Sequence, residues 1–221
     1  RSAAVLVPLI RSQGEWQIVL TMRSSALKHH PGQIAFPGGK QDPSDATLED
    51  TALREAFEEI GLPREKVKIL GRLPIHETVT GFTVTPIVGV ITSEFDVMPE
   101  SGEVAEVFQV SFSFLNDPKN FQTLFRRWRG QKRYCYTVPY GPYYIWAATA
   151  RMLRMFADTL ARPCRFRAPE SRMQRPKWSA MRSLRRDFRR ILLAVACAMH
   201  CLALMCPTLI LRLMRPPKML S

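Results

Sequence analysis

The chain has 221 residues, 46% of them hydrophobic and 23% charged, which excludes a wholly disordered polymer and allows one ordinary domain with an appendage or two small ones. A net charge of +13 would point to nucleic acid or an anionic membrane if it were spread evenly. Residues 1–160, however, carry 18 Lys and Arg against 17 Asp and Glu, while residues 161–221 carry 14 against 2, so no nucleic-acid partner is expected of the first part.

Ala3 to Ile10 and Trp16 to Met22 are apolar, β-favouring runs around the turn signal Ser12-Gln13-Gly14-Glu15, which predicts an opening hairpin. Gln33 to Phe36 reads as a short strand entering the sharp loop Pro37-Gly38-Gly39. From Asp45 to Gly61 the apolar positions Leu48, Ala52, Leu53, Ala56, Phe57 and Ile60 follow helical spacing. Asp45 is the expected N-cap and Gly61 the expected stop. Strands are predicted at 67–73, 83–91, 107–114 and 133–138, and a second helix at 142–160. Elements mixed so irregularly exclude a doubly wound parallel sheet and predict an α+β fold, a mixed-sheet α/β/α sandwich. No internal repeat is visible.

Of five cysteines, Cys135 lies in the first part and Cys164, Cys197, Cys201 and Cys206 in the tail, none at zinc-finger spacing. An odd count without an opening signal peptide favours a reducing compartment, and the expected location is cytoplasmic.

Glu55, Glu58 and Glu59 are three and four residues apart and crowd one helical face. Like charges so placed repel, and the pattern makes best sense if cations gather them, either a metal or basic side chains such as Arg54 at i, i+4 to Glu58. Oxygen ligands on a rigid helix suit Mg²⁺ or Mn²⁺, which take further ligands from phosphates. Such a centre offsets phosphate charge and acidifies a bound water while a spare carboxylate accepts its proton, which is the chemistry of diphosphate hydrolysis.

The run Arg54-Glu55-Ala56-Phe57-Glu58-Glu59-Ile60-Gly61-Leu62 resembles the second half of the Nudix box at every fixed position. The first half departs: Gly39 and Arg54 are separated by 14 residues rather than 13, and Asp45 or Ala46 stands where the box has its isolated Glu. The resemblance implies metal ligation by Glu55 and Glu59, with Glu58 as a further ligand or base, and a pairing role for Arg54. Upstream, Leu20-Thr21-Met22-Arg23-Ser24, Lys28, His30, Gly32-Gln33 and Phe36-Pro37-Gly38-Gly39 resemble the signature of the coenzyme A pyrophosphatase branch, with Lys28 where that branch usually has Arg. The branch's extra residue before the helix accounts for the longer spacing.

That likeness implies hydrolysis of coenzyme A or a derivative to 3′,5′-ADP and 4′-phosphopantetheine, and assigns Arg23, Ser24, Lys28, His30, Gln33, Gly38 and Gly39 to substrate binding. Arg23, Lys28 and His30 form a cationic stretch suited to a polyanion, and the glycines let backbone approach phosphate. Glu103 and Glu106 are further candidates for a metal ligand or base, although a solvated loop acid is the simpler reading. Tyr143, Tyr144 and Trp146 are expected in the core. Action on another nucleoside diphosphate derivative, and a Nudix-fold module that senses a nucleotide without turnover, remain the alternatives.

The resemblance ends at Leu160, which makes residues 1–160 the expected catalytic domain. Residues 161–190 read as an Arg- and Pro-rich linker and 191–214 as an apolar segment, with a basic terminus at 215–221. Ile191 to Leu211 contains no Asp, Glu, Lys or Arg and has the length of a spanning helix. A membrane anchor, a nucleic-acid-binding extension and a stretch with no part in the working domain all stay open for it.

Overall fold

The computed structural model describes residues 1–78, 81–128 and 130–160. Strand β1 (Ser2–Ser12) shows how the core is divided. Its alternating side chains point to opposite faces, with Ala3, Val7 and Leu9 in one buried cluster and Ala4 and Leu6 in another. A sheet buried on both faces needs a helix on each.

β1 turns through Gln13 and Gly14 into β2 (Glu15–Arg23), the expected hairpin. β3 (Ile34–Ala35) pairs with β2, and β4 (Gly38–Lys40) with β1. β5 (Val67–Arg72), β6 (His76–Glu77), β7 (Thr83–Ile91) and β8 (Val104–Ser111) complete an eight-stranded sheet whose main path runs β3-β2-β1-β7-β5. β1 and β7 run parallel, while the other described pairings are antiparallel. The sheet is therefore mixed, as the irregular element order predicts.

Helix α1 (Leu48–Ile60) covers one face and buries Ala52, Leu53, Ala56 and Ile60. Thr47, not Asp45, is its N-cap: the Thr47 Oγ1 accepts from the Asp50 N–H at 3.1 Å. Asp45 is drawn away by an arginine described below. Gly61 ends the helix as expected, at φ 71°, where a side chain would be strained.

The other face is covered by α3 (Ala147–Leu160), which packs Ala150, Met152, Leu153 and Phe156 against the sheet. Thr149 Oγ1 donates to the Ile34 carbonyl at 2.9 Å and ties this helix to β3. The expected start at residue 142 is wrong, because Tyr143–Trp146 forms β11 and pairs with β10 (Gln131–Tyr140). Four bulky β-favouring residues after the Gly141-Pro142 turn take the strand that β10 offers. β10 also pairs with β9 (Gln122–Trp128), a strand whose arginines hide it from an apolar-run search. A short helix α2 (Phe112–Asn116) ends the expected strand at 107–114 early.

Among the described residues no helix is long and apolar enough to cross a membrane. The linker, apolar segment and basic terminus read from residues 161–221 lie outside the described residues.

Candidate active site

The loop after β4 and helix α1 are locked together by Arg54. Its Nε and Nη2 donate to the two Asp45 oxygens at 3.0 Å each, Nη2 also donates to the Lys40 carbonyl at 3.1 Å, and Nη1 reaches Glu58 at 2.9 Å. Glu55 lies 3.1 Å from the same guanidinium. The Asp45 side chain is only 5% exposed, and the hydrogen bonds from Arg54 hold its carboxyl far below the usual range. Asp45, rather than Ala46, thus supplies the carboxylate that answers Arg54. The extra residue in the loop is absorbed without losing that contact.

Glu59 has the opposite environment. It is 5% exposed, and burial first, then the charge of Glu55, push its pKa up to about 8 against opposing contributions from Arg23 and the Gly38 N–H. Glu55 is raised by burial too, with Arg54 opposing. Glu103 raises both, so it faces the same cluster. Its position follows from a strap along the C-terminal end of α1, in which the N–H groups of Met98 and Glu100 donate to the carbonyls of Ile60 and Glu59 at 3.1 and 3.0 Å. Glu103 is exposed, as the reading of a solvated loop acid expects, yet its charge bears on both Glu55 and Glu59.

Glu106 is occupied elsewhere: the Tyr143 hydroxyl donates to it at 2.5 Å, and the Tyr143 ring stacks on Phe108 at 3.7 Å. Tyr143 is partly buried and packs against the core cluster, as expected of it, although from a strand rather than a helix. Tyr144 is 43% exposed.

The glycines are required by close approach. A Cβ on Gly38, at φ 155°, would meet the Ala4 carbonyl oxygen and Val5 Cα at 2.5 Å, and one on Gly39 would collide with the Glu55 carboxylate. β4 therefore runs directly beside the acidic helix.

Arg23 ends β2 and carries the loop that follows it. The Arg23 N–H donates to the Gln33 carbonyl at 3.0 Å, the Gly32 N–H returns to the Arg23 carbonyl at 3.1 Å, and the Ser24 N–H donates to the Glu103 carbonyl at 2.8 Å. The loop closes on itself and is pinned to the segment bearing Glu103. Arg23, Gly38, Gly39, Glu55 and Glu59 are brought together. Lys28 and His30 are exposed on the loop, and the Ser24 hydroxyl accepts from the Ala26 N–H at 3.3 Å.

The donor set fits a hard divalent cation in its chemistry: carboxylates from one rigid helix, one of them buried beside like charge. Among the described residues no three His, Cys, Asp or Glu side chains converge closely enough to cage an ion as they stand. Arg54 holds Glu55 and Glu58 instead.

A mixed sheet between two helices, with a carboxylate-bearing helix facing a glycine turn, is the plan of a Nudix hydrolase. The NUDIX domain model matches residues 1–127, and the chain belongs to that family. It is 41% identical over 157 residues to the uncharacterized Nudix hydrolase NudL of Enterobacter sp. (strain 638), covering 71% of this chain and 81% of that protein. The NudL of Klebsiella pneumoniae (strain ATCC 700721 / MGH 78578) is 40% identical over 164 residues, 74% of this chain and 85% of its own. Among solved structures, the Nudix hydrolase RenU from M. smegmatis matches with TM-score 0.44 and 26% identity over 52% of this chain and 72% of its own. The family implies a small nucleotide-derived substrate and divalent metal dependence.

Proposed function

We propose that this Nudix hydrolase cleaves the diphosphate linkage of coenzyme A or a derivative, releasing 3′,5′-ADP and 4′-phosphopantetheine. The supporting observation is the closed Arg23–Gly39 segment, which sets Arg23 close enough to Glu59 to oppose its pKa shift. A substrate with a diphosphate and a third phosphate needs cations near the acidic helix; Arg23 stands near Glu59, and the exposed Lys28 and His30 of the same loop are the further cations this reading assigns to the substrate.

Glu55, Glu58 and Glu59 are the residues that would hold Mg²⁺ or Mn²⁺. Bound there, the ion offsets phosphate charge and acidifies a water. Water adds to one phosphorus as the anhydride P–O bond breaks, the departing phosphate keeps the electron pair, and a cluster carboxylate takes the proton. Gly38 and Gly39 let β4 lie directly against β1 and the Glu55 carboxylate, so that backbone rather than side chain borders the cluster, and this reading assigns that backbone to the diphosphate. Residues 1–160 form the catalytic unit in this proposal, and 161–221 take no part in the chemistry.

The test is to incubate the chain with coenzyme A, ADP-ribose and nucleoside triphosphates, with Mg²⁺ or Mn²⁺, and identify products by mass spectrometry. The expected products are 3′,5′-ADP and 4′-phosphopantetheine from coenzyme A alone. Turnover of triphosphates or ADP-ribose in preference would overturn the substrate assignment, and tight binding without turnover would make the chain a sensor.

A further inference from the structure

We infer that the ribbon formed by β9 and β10 is a docking surface for an anionic lipid bilayer, independent of the substrate reading. Between Gln122 and Tyr140 the chain carries Arg126, Arg127, Arg129, Lys132 and Arg133 and no Asp or Glu. This is a concentrated positive charge in residues 1–160, whose remaining side chains carry more acids than bases.

The register places Phe125 opposite Tyr134 and Arg127 opposite Lys132. Residues directly opposed in an antiparallel pair share a face, and positions two apart along a strand share it too. One face therefore presents two rings and two cations. Phe125 is 59% and Tyr134 73% exposed, Arg127 and Lys132 are exposed, and the Lys132 Nζ sits 5.3 Å from the Phe125 ring centroid. β9 is an edge strand whose described partner is β10 alone. The ribbon's base is held, with the Arg154 guanidinium 5.5 Å over Phe121 and 5.9 Å over Tyr136.

Rings beside cations fit the membrane interface, where aromatic side chains sit at headgroup depth and Lys and Arg reach lipid phosphate. Single-stranded nucleic acid also uses rings and cations, but it stacks bases on aromatic platforms. Leu124, 43% exposed, lies on the opposite face in register with Cys135. Apolar groups on both faces of a basic ribbon suit a medium that surrounds it. The charge has a complement in a continuous anionic surface, and the exposed apolar groups have one in the acyl boundary.

The experiment is hydrogen exchange on the full chain with phosphatidylcholine vesicles, with and without phosphatidylserine. Residues 122–136 are expected to gain amide protection on the anionic vesicles and not on the neutral ones. Replacing Arg127→Ala and Lys132→Ala is expected to weaken vesicle sedimentation by about fivefold per cation. Phe125→Ser with Tyr134→Ser is expected to remove the binding that survives high salt. Protection confined to residues beyond 160, unchanged sedimentation of both folded double variants, or protection of the ribbon by single-stranded RNA but not by vesicles would each overturn the inference. The exchange measurement on the unaltered chain decides even if a variant fails to fold.

Discussion

The two ends of helix α1 carry the same residue types in opposite electrostatic states. At the N-terminal end the acids are matched: Glu49 takes hydrogen bonds from Arg72 at 2.6 and 2.5 Å, Asp50 pairs with Arg64, and Asp45 in the preceding loop pairs with Arg54. Their pKa values are lowered, by Arg72 for Glu49, by Thr47 and then Arg64 for Asp50, and by Arg54 for Asp45. From the middle of the helix to its C-terminal end Glu55 and Glu59 are raised by burial, against Arg54 for Glu55 and Arg23 for Glu59, and Glu103 adds like charge to both. Acids at a helix start are favoured by the macrodipole and need no further reason. Buried acids gathered near the other end oppose their own charge, and a bound cation, as the proposed function requires, would relieve that opposition.

The sharpest way to break this contrast is Glu59→Gln. Activity should fall by about 10²–10⁴-fold, measured as kcat with saturating Mg²⁺ or Mn²⁺. In chelated protein the same change should stabilise. Glu59 keeps its proton in the folded state up to about pH 8, whereas the unfolded chain releases it near the ordinary value of 4.5. The folded state therefore binds more protons between those values, and the stability of the metal-free protein declines as pH rises through them. The Gln variant lacks that decline. Its advantage should grow from pH 4.5 to 8, then level off at about 2–4 kcal/mol in denaturant unfolding. An activity loss without this stability gain would mean that Glu59 is not in a repulsive environment.

At the matched end, Arg54→Ala should destabilise by about 2–4 kcal/mol, somewhat less than a fully buried pair because solvent reaches Arg54. The Asp45 value is depressed, so its contribution is complete above its unfolded pKa of 3.8 and fades as pH falls toward the lower folded value. The gap between the parent and Arg54→Ala should be full at neutral pH and shrink below about pH 4. Asp45→Asn added to Arg54→Ala should recover part of the loss, since no buried carboxylate is then left alone. A gap that ignores pH would show that Arg54 acts through packing.

Much of this was legible in the sequence, for identifiable reasons. The hairpin of β1 and β2, strand 83–91 and the body of α1 follow from side-chain period, which local sequence records. β9 was missed because arginines interrupt its apolar residues and its strand is completed by pairing with β10, and the helix start at 147 was misplaced because pairing with β10 captures Tyr143–Trp146. In the site, the acidic helix and the glycine turn were visible as residue types at fixed spacing. The competition between Arg54 and the N-cap for Asp45, won by Arg54, and the strap that lets the charge of Glu103 bear on Glu59 were not. Both depend on contacts between segments, and one chain written in a line does not say which loop acid meets which helix.

A final comparison separates a buried polar group with chemistry from one without. Thr137 is 1% exposed, and its hydroxyl has no hydrogen-bond partner in the structure. It pairs in register with Trp146 in the separate three-stranded sheet that β9, β10 and β11 form, on a different element from any of the carboxylates. If unsatisfied burial matters only where it serves binding, Thr137→Val should stabilise the protein by about 0.5–1 kcal/mol, because Val keeps the β-branched shape and removes the unpaired oxygen. Activity should not change. A loss of more than about 1 kcal/mol would show that the hydroxyl is satisfied by a buried water.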